Sequence, residues 1–122
     1  MTADLTISVV DDEESIRNFL ESLLRSMGYT VKPFASAESF LKSETLTGTD
    51  CLILDVRMPG MSGPELQRAL KSQGLRVPII FITAHCDSEV TARVMGDGAV
   101  DCLLKPFSEE DLLRAIHTAL HA

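Results

Sequence analysis

The chain has 122 residues, 45% of them apolar and 24% charged, with a net charge of −7 at neutral pH. That length suits one domain with its own core, and the acidic balance argues against a nucleic-acid-binding surface, which needs clustered Lys and Arg. No apolar stretch approaches the roughly 18 residues of a membrane span, and Met1-Thr2-Ala3-Asp4 has neither a basic flank nor a cleavage-like signal.

Leu5 to Val10 is a short β-branched run ending in charges, which reads as a buried strand. A helix follows, its apolar stripe formed by Ile16, Phe19, Leu20, Leu23, Leu24 and Met27 and its end marked by Gly28. Thr30 to Phe34 is a weaker strand; Pro33 inside it predicts an edge position. Ser36 to about Glu44 gives a short helix with Phe40 and Leu41 facing inward. Cys51 to Leu54 is a third strand without polar alternation, so both of its faces are expected to be covered. After the Pro- and Gly-containing loop from Val56 to Gly63, Pro64 suits the first position of a helix carrying Leu66, Ala69 and Leu70, and Gly74 ends it. Val77 to Ile82 is the fourth strand. The helix near Ser88 to Met95 has the weakest amphipathic pattern of the chain. Cys102 to Leu104 is the fifth strand. Ser108 and Asp111 resemble a capping box for a last helix with Leu112, Leu113, Ile116 and Leu120 as its buried stripe.

Five strands alternating with five helices call for an α/β fold, a parallel sheet covered on both faces. Right-handed crossovers leave few arrangements. The expected one is a flavodoxin-like (βα)5 three-layer sandwich with strand order 2-1-3-4-5, because strands 1 and 3 carry acidic residues at their carboxyl ends, where open α/β sheets bind ligands. Cys51, Cys86 and Cys102 are odd in number and lack a C-x-x-C pair, which speaks against a disulfide framework or zinc site and for a reducing cytosol. Cys51 and Cys102 are expected as buried thiols, and loop-borne Cys86 as an exposed, oxidisable one.

The strand ends carry the chemistry. Asp11 and Asp12 follow the first, Asp55 the third, Thr83 the fourth and Lys105 the fifth. Alone, the acidic pair suits a helix N-cap, Thr83 an ordinary strand-end hydroxyl and Lys105 a solvated charge. Together they make a site for a divalent cation and a phosphoryl group. Three close carboxylates repel one another unless a cation compensates, and Mg²⁺ takes such hard oxygen ligands. Asp55 then reads as a nucleophile forming an acyl phosphate, with Thr83 donating to the phosphoryl oxygens and Lys105 neutralising them. His117 and His121, four apart on the last helix, have a metal-compatible spacing but no third ligand, and a helix C-terminus favours His anyway.

With VVDDEESIR, LILDVRMPGMSG, FITAH and LLKPF in place, the chain resembles a receiver domain of a two-component response regulator over essentially all of residues 1–122, in phrasing most like the FixJ type. The resemblance implies Asp55 as phospho-acceptor from a sensor histidine kinase. It also implies Mg²⁺ held by Asp12, Asp55, partly Asp11, and the backbone carbonyl of Arg57. Thr83 becomes the sensor of phosphorylation, Lys105 the partner of Asp55, and Lys105-Pro106 a cis bond. A face made of helix 4, strand 5 and helix 5 is implied for homodimer or effector contacts. A C-terminal DNA-binding domain outside this chain and a cytoplasmic location are implied too; a stand-alone receiver is the alternative. Family members often carry an aromatic residue where this chain has Cys102, so signalling is expected to rely on Thr83, residues 85–87 and the helix after them. Arg57 and His85 flank the site and are placed to tune the phosphoryl lifetime. An aspartyl phosphatase fits less well, since it wants a carboxylate where Arg57 stands. A flavin or nucleotide binder fits less well also, since Val10-Asp11-Asp12-Glu13 is no Gly-rich phosphate cradle.

Overall fold

The computed structural model describes residues 5–85 and 87–121. Five strands, β1 (Thr6–Val10), β2 (Thr30–Phe34), β3 (Cys51–Asp55), β4 (Ile79–Thr83) and β5 (Asp101–Leu104), alternate with helices α1 (Glu14–Ser26), α2 (Ala37–Leu41), α3 (Gly63–Ser72), α4 (Ser88–Gly96) and α5 (Glu109–Leu120). The strands pair in parallel in the order β2-β1-β3-β4-β5. Pro33 therefore lies in an edge strand, where its missing N–H breaks no ladder bond.

The apolar runs lacked polar alternation because the sheet is buried on both faces. One layer packs Ile7, Val9, Ile53, Ile80 and Ile82 against Leu20 and Leu24 of α1 and Leu112 and Ile116 of α5. The other packs Val10, Leu52, Leu54 and Phe81 against Phe40 of α2, Leu66 and Leu70 of α3 and Val94 of α4. Ile53 thus points to one layer, and its neighbours Leu52 and Leu54 to the other.

Local departures from the sequence reading have identifiable causes. On α1 only Leu20 and Leu24 are buried; Phe19 and Met27, on the flank of that stripe, are 45% and 46% exposed. The second helix stops at Leu41 and Glu44–Gly48 forms a separate 3-10 turn, since Ser43 Oγ bonds the Phe40 carbonyl and competes with continued helix. Pro64 is the second residue of α3, behind Gly63; Ser62 caps this helix, and Ser62 with Glu65 forms a full capping box. At α5 only half of the expected box forms. Ser108 Oγ accepts from the Asp111 N–H at 3.0 Å, while the Asp111 carboxylate takes Arg114 instead. The fully buried stripe of α5 is Leu112, Ala115, Ile116 and Ala119; Leu113 and Leu120 are half-buried.

Candidate functional site

All five anticipated residues lie at the carboxyl edge of the sheet. Asp55 and Thr83 are the last residues of β3 and β4, while Asp11 and Lys105 come directly after β1 and β5. Because β1 and β3 are neighbours, carboxylate oxygens of Asp11, Asp12 and Asp55 lie within 4.8 Å of one another. Asp11 is fully buried and Asp55 is 5% exposed, whereas Asp12 faces solvent.

Asp11 is not a helix cap. The N-cap of α1 is Glu13, whose side chain makes no capping bond. Asp11 Oδ1 accepts from the Glu13 N–H at 2.9 Å and its Oδ2 accepts from Lys105 Nζ at 3.0 Å. Its backbone is held from both sides: its N–H donates to Phe34 O at 3.1 Å, and Arg17 Nη1 donates to its carbonyl at 2.7 Å.

Asp55 is set by the packing behind it. Val56 N–H bonds Ile82 O and Gly63 N–H bonds Val56 O, so the chain turns sharply from β3 into α3. A Cβ at Gly63 would collide with the Asp55 carbonyl oxygen and stand 3.0 Å from the Phe81 ring; only glycine fits this approach. The loop between is tied to α2 by Glu38, whose Oε2 accepts from the Met61 N–H at 2.9 Å. That bond holds the Glu38 carboxyl below its ordinary 4.5. Burial, reinforced by the charge of Asp11, pushes the Asp55 carboxyl from 3.8 to about 7; Lys105 and the Arg57 backbone amide pull the other way without winning.

Lys105 lies across three carboxylates, 3.0 Å from Asp11, 3.1 Å from Glu13 and 3.7 Å from Asp55. Burial favours its neutral form, but the bonds to Asp11 and Glu13 and the charges of Asp55 and Asp11 outweigh burial and raise its pKa above 10.5. The Lys105-Pro106 bond is cis. The Thr83 hydroxyl is occupied within its own loop: it donates to the His85 carbonyl at 3.0 Å and accepts from the His85 N–H at 3.1 Å. The Arg57 guanidinium is 61% exposed and approaches Asp87 at 3.9 Å, and Asp87 caps α4 through Glu89 and Val90. A narrow gap lined by Thr83, Val90, Thr91 and Cys102 separates the site from α4. Cys102 is half-buried, not fully buried as expected, because β5 is an edge strand; Thr91 Oγ1 stands 3.9 Å from its sulfur. Cys51 is fully buried, and burial raises its thiol to about 12. The reading of Cys86 falls outside the described residues. The His117 and His121 rings stack with centroids 4.3 Å apart, and both residues are exposed. Among the described residues, the only group of three or more acidic, His or Cys side chains spaced to share a metal is Asp11, Asp12 and Asp55.

Glu13, Glu38 and the Ser62–Glu65 box were missed from sequence. The box was legible as S-x-x-E before an apolar run; Glu13 and Glu38 are ordinary surface acids until the fold brings them to Lys105 and Met61.

The family model for the response regulator receiver domain matches residues 7–117. This chain is a response regulator receiver domain. It is 49% identical over 114 residues to the response regulator protein TmoT of Ectopseudomonas mendocina, covering 93% of this chain and 52% of TmoT. The structure of the response regulator StyR superposes with a TM-score of 0.88 at 48% identity, over 98% of this chain and 60% of that one. FixJ-N gives 0.87 at 37% identity, over 98% and 96% respectively. The receiver spans about half the length of the curated relatives it matches. Among the described residues, no helix of the receiver is long and apolar enough to cross a membrane.

Proposed function

We propose that this receiver is a phosphorylation-controlled switch in which Asp55 accepts a phosphoryl group from a phosphohistidine of a sensor histidine kinase. The observation that carries this is Asp55 itself: a nearly buried carboxyl at a strand end, beside two further carboxylates and within 3.7 Å of Lys105. One Asp55 oxygen attacks phosphorus as the P–N bond of the phosphohistidine breaks, and the imidazole nitrogen leaves with the electron pair. Attack requires the carboxylate form, which burial and Asp11 disfavour.

The donor set fits Mg²⁺. Three carboxylates, with Asp55 raised by burial and then by the charges of Asp11 and Asp12, make an anionic pocket of hard oxygens. Asp11, Asp12, Asp55 and the Arg57 backbone carbonyl would hold the ion. When bound it would compensate the carboxylates and draw charge from the phosphoryl oxygens. Lys105 supplies the other positive charge. Thr83 must exchange its bonds to His85 for one to the phosphoryl group, which frees His85 and the start of α4. The aromatic relay common in the family has no ring here, since the position is Cys102; the loop and α4 carry the signal instead.

The domain is a phospho-acceptor and not a multiple-turnover hydrolase. Supporting this, the place where an aspartyl phosphatase wants a second acid holds Arg57, which pairs with Asp87. The half-length match to proteins named as response regulators supports a C-terminal DNA-binding output domain outside this chain, with transcription as the output. Met95 of α4 and Leu104 of β5, 40% and 50% exposed, support dimerisation through the α4-β5-α5 face. The inert buried Cys51 fits a cytoplasmic protein.

Intact-mass measurement with acetyl phosphate and Mg²⁺, on the native chain and on Asp55→Asn, tests the acceptor. One phosphoryl group should be gained by the native chain alone. No gain, or equal gain in both, overturns the assignment.

A further inference from the structure

Lys105 stands nearer to Glu13 than to Asp55, 3.1 Å against 3.7 Å. Its side chain is only 11% exposed, so neighbouring carboxylates rather than water decide where its ammonium rests. Two features place Glu13 for this contact. Its backbone N–H is pinned to Asp11 Oδ1 at 2.9 Å, and its side chain makes no capping bond at the N-cap of α1 and reaches Lys105 instead. Asp11 thus anchors both the Glu13 backbone and the Lys105 ammonium, and Glu13 closes the third side of the clamp. Glu14, the next acid in the same turn, makes no ion pair with another described residue.

We propose that Glu13 is a positioning residue that holds Lys105 away from Asp55 and thereby slows phosphoryl transfer. This rests on Asp55 being the acceptor. As the phosphoryl group arrives, negative charge on its oxygens must recruit the Lys105 ammonium. To reach them the ammonium leaves Glu13, and the lost ion pair adds to the barrier. Glu13 is 54% exposed, so the pair is screened and the restraint is modest. It differs from the general acidity of the edge because it acts through one contact.

The test is the initial rate of labelling by acetyl phosphate at saturating Mg²⁺, followed by intact mass, for the native chain, Glu13→Gln, Glu13→Asp and Glu14→Gln. Melting curves check that each variant is folded. Glu13→Gln should label roughly twofold to fivefold faster, the rate equivalent of an exposed ion pair. The gain should appear in the maximal rate rather than in the half-saturating donor concentration, and it should shrink at high salt as the native pair is screened. Glu13→Asp restores a carboxylate and should return most of the restraint. Glu14→Gln removes the same charge from the same turn without touching Lys105 and should match the native rate. A Glu13→Gln rate at or below native, or an equal gain in Glu14→Gln, overturns the proposal while leaving Asp55 as acceptor. A native chain that does not label, or an Asp55→Asn chain that does, removes the acceptor reading and this proposal with it.

Discussion

Asp55→Asn should make the metal-free domain more stable at neutral pH, although it removes the proposed phospho-acceptor. The folded state holds the Asp55 carboxyl at about 7 against an ordinary 3.8. A carboxyl raised on folding binds its proton more tightly in the native state. Stability from this group is therefore greatest below about pH 4 and is lost as pH rises through about 7. Each pH unit of that interval corresponds to about 1.4 kcal/mol, so ionising Asp55 at pH 8 costs the fold about 4 kcal/mol at most. The amide is nearly isosteric and carries no charge, and the attraction of Lys105 at 3.7 Å is already contained in the value of about 7. A net gain of roughly 2–4 kcal/mol remains, or about 8–15 °C in melting temperature for a domain of this size. Thermal unfolding with EDTA at pH 8 and pH 5 measures it, the variant-minus-native difference cancelling other titrations. The gain should fall to roughly a third at pH 5, and Mg²⁺ at pH 8 should narrow it by stabilising the native chain alone. Equal melting temperatures at pH 8, or a difference that does not change with pH, would refute the electrostatic account of the site.

Gly63→Ala should destabilise the domain by about 1–3 kcal/mol in urea unfolding, because the new Cβ meets the Asp55 carbonyl and the Phe81 ring; an unchanged midpoint would show that this turn has slack. Glu38→Ala should abolish slow hydrogen exchange at the Met61 amide, whose acceptor is Glu38 Oε2. In the native chain that protection should persist as pH falls through the ordinary carboxylate range and disappear only below pH 4.5, since the Glu38 carboxyl is held low. Protection that survives the substitution would assign the restraint of this loop to something else.

The order of the elements and the five strand-end residues were legible along the chain because each depends on local pattern. LTISVV, CLIL and VPIIFI are continuous apolar runs with charged or hydroxyl residues after them, and a sheet covered on both faces produces that pattern directly. Pro33 announced its edge strand for an equally local reason. Features that depend on what packs from elsewhere were not legible. Phe19 continues the stripe of α1 in sequence, yet nothing in the sheet covers it. Cys102 reads as a core thiol in CLL and is half-buried because β5 ends the sheet.

By itself the sequence determined that this is a parallel α/β receiver with an acidic edge carrying a hydroxyl and an ammonium, since strand type and strand-end chemistry are properties of short segments. Only the tertiary structure decided how those groups are poised. Burial of the sheet edge, reinforced by the parallel pairing of β1 with β3 that puts Asp11 beside Asp55, lifts the Asp55 carboxyl to about 7. Pairing of β5 with β4, continued by the Lys105 N–H bond to Thr83 O, carries Lys105 to Asp11 and Glu13, residues more than ninety positions away in the chain. Charge–charge energies depend on distance and on the water excluded between groups, and neither is written in the order of the residues.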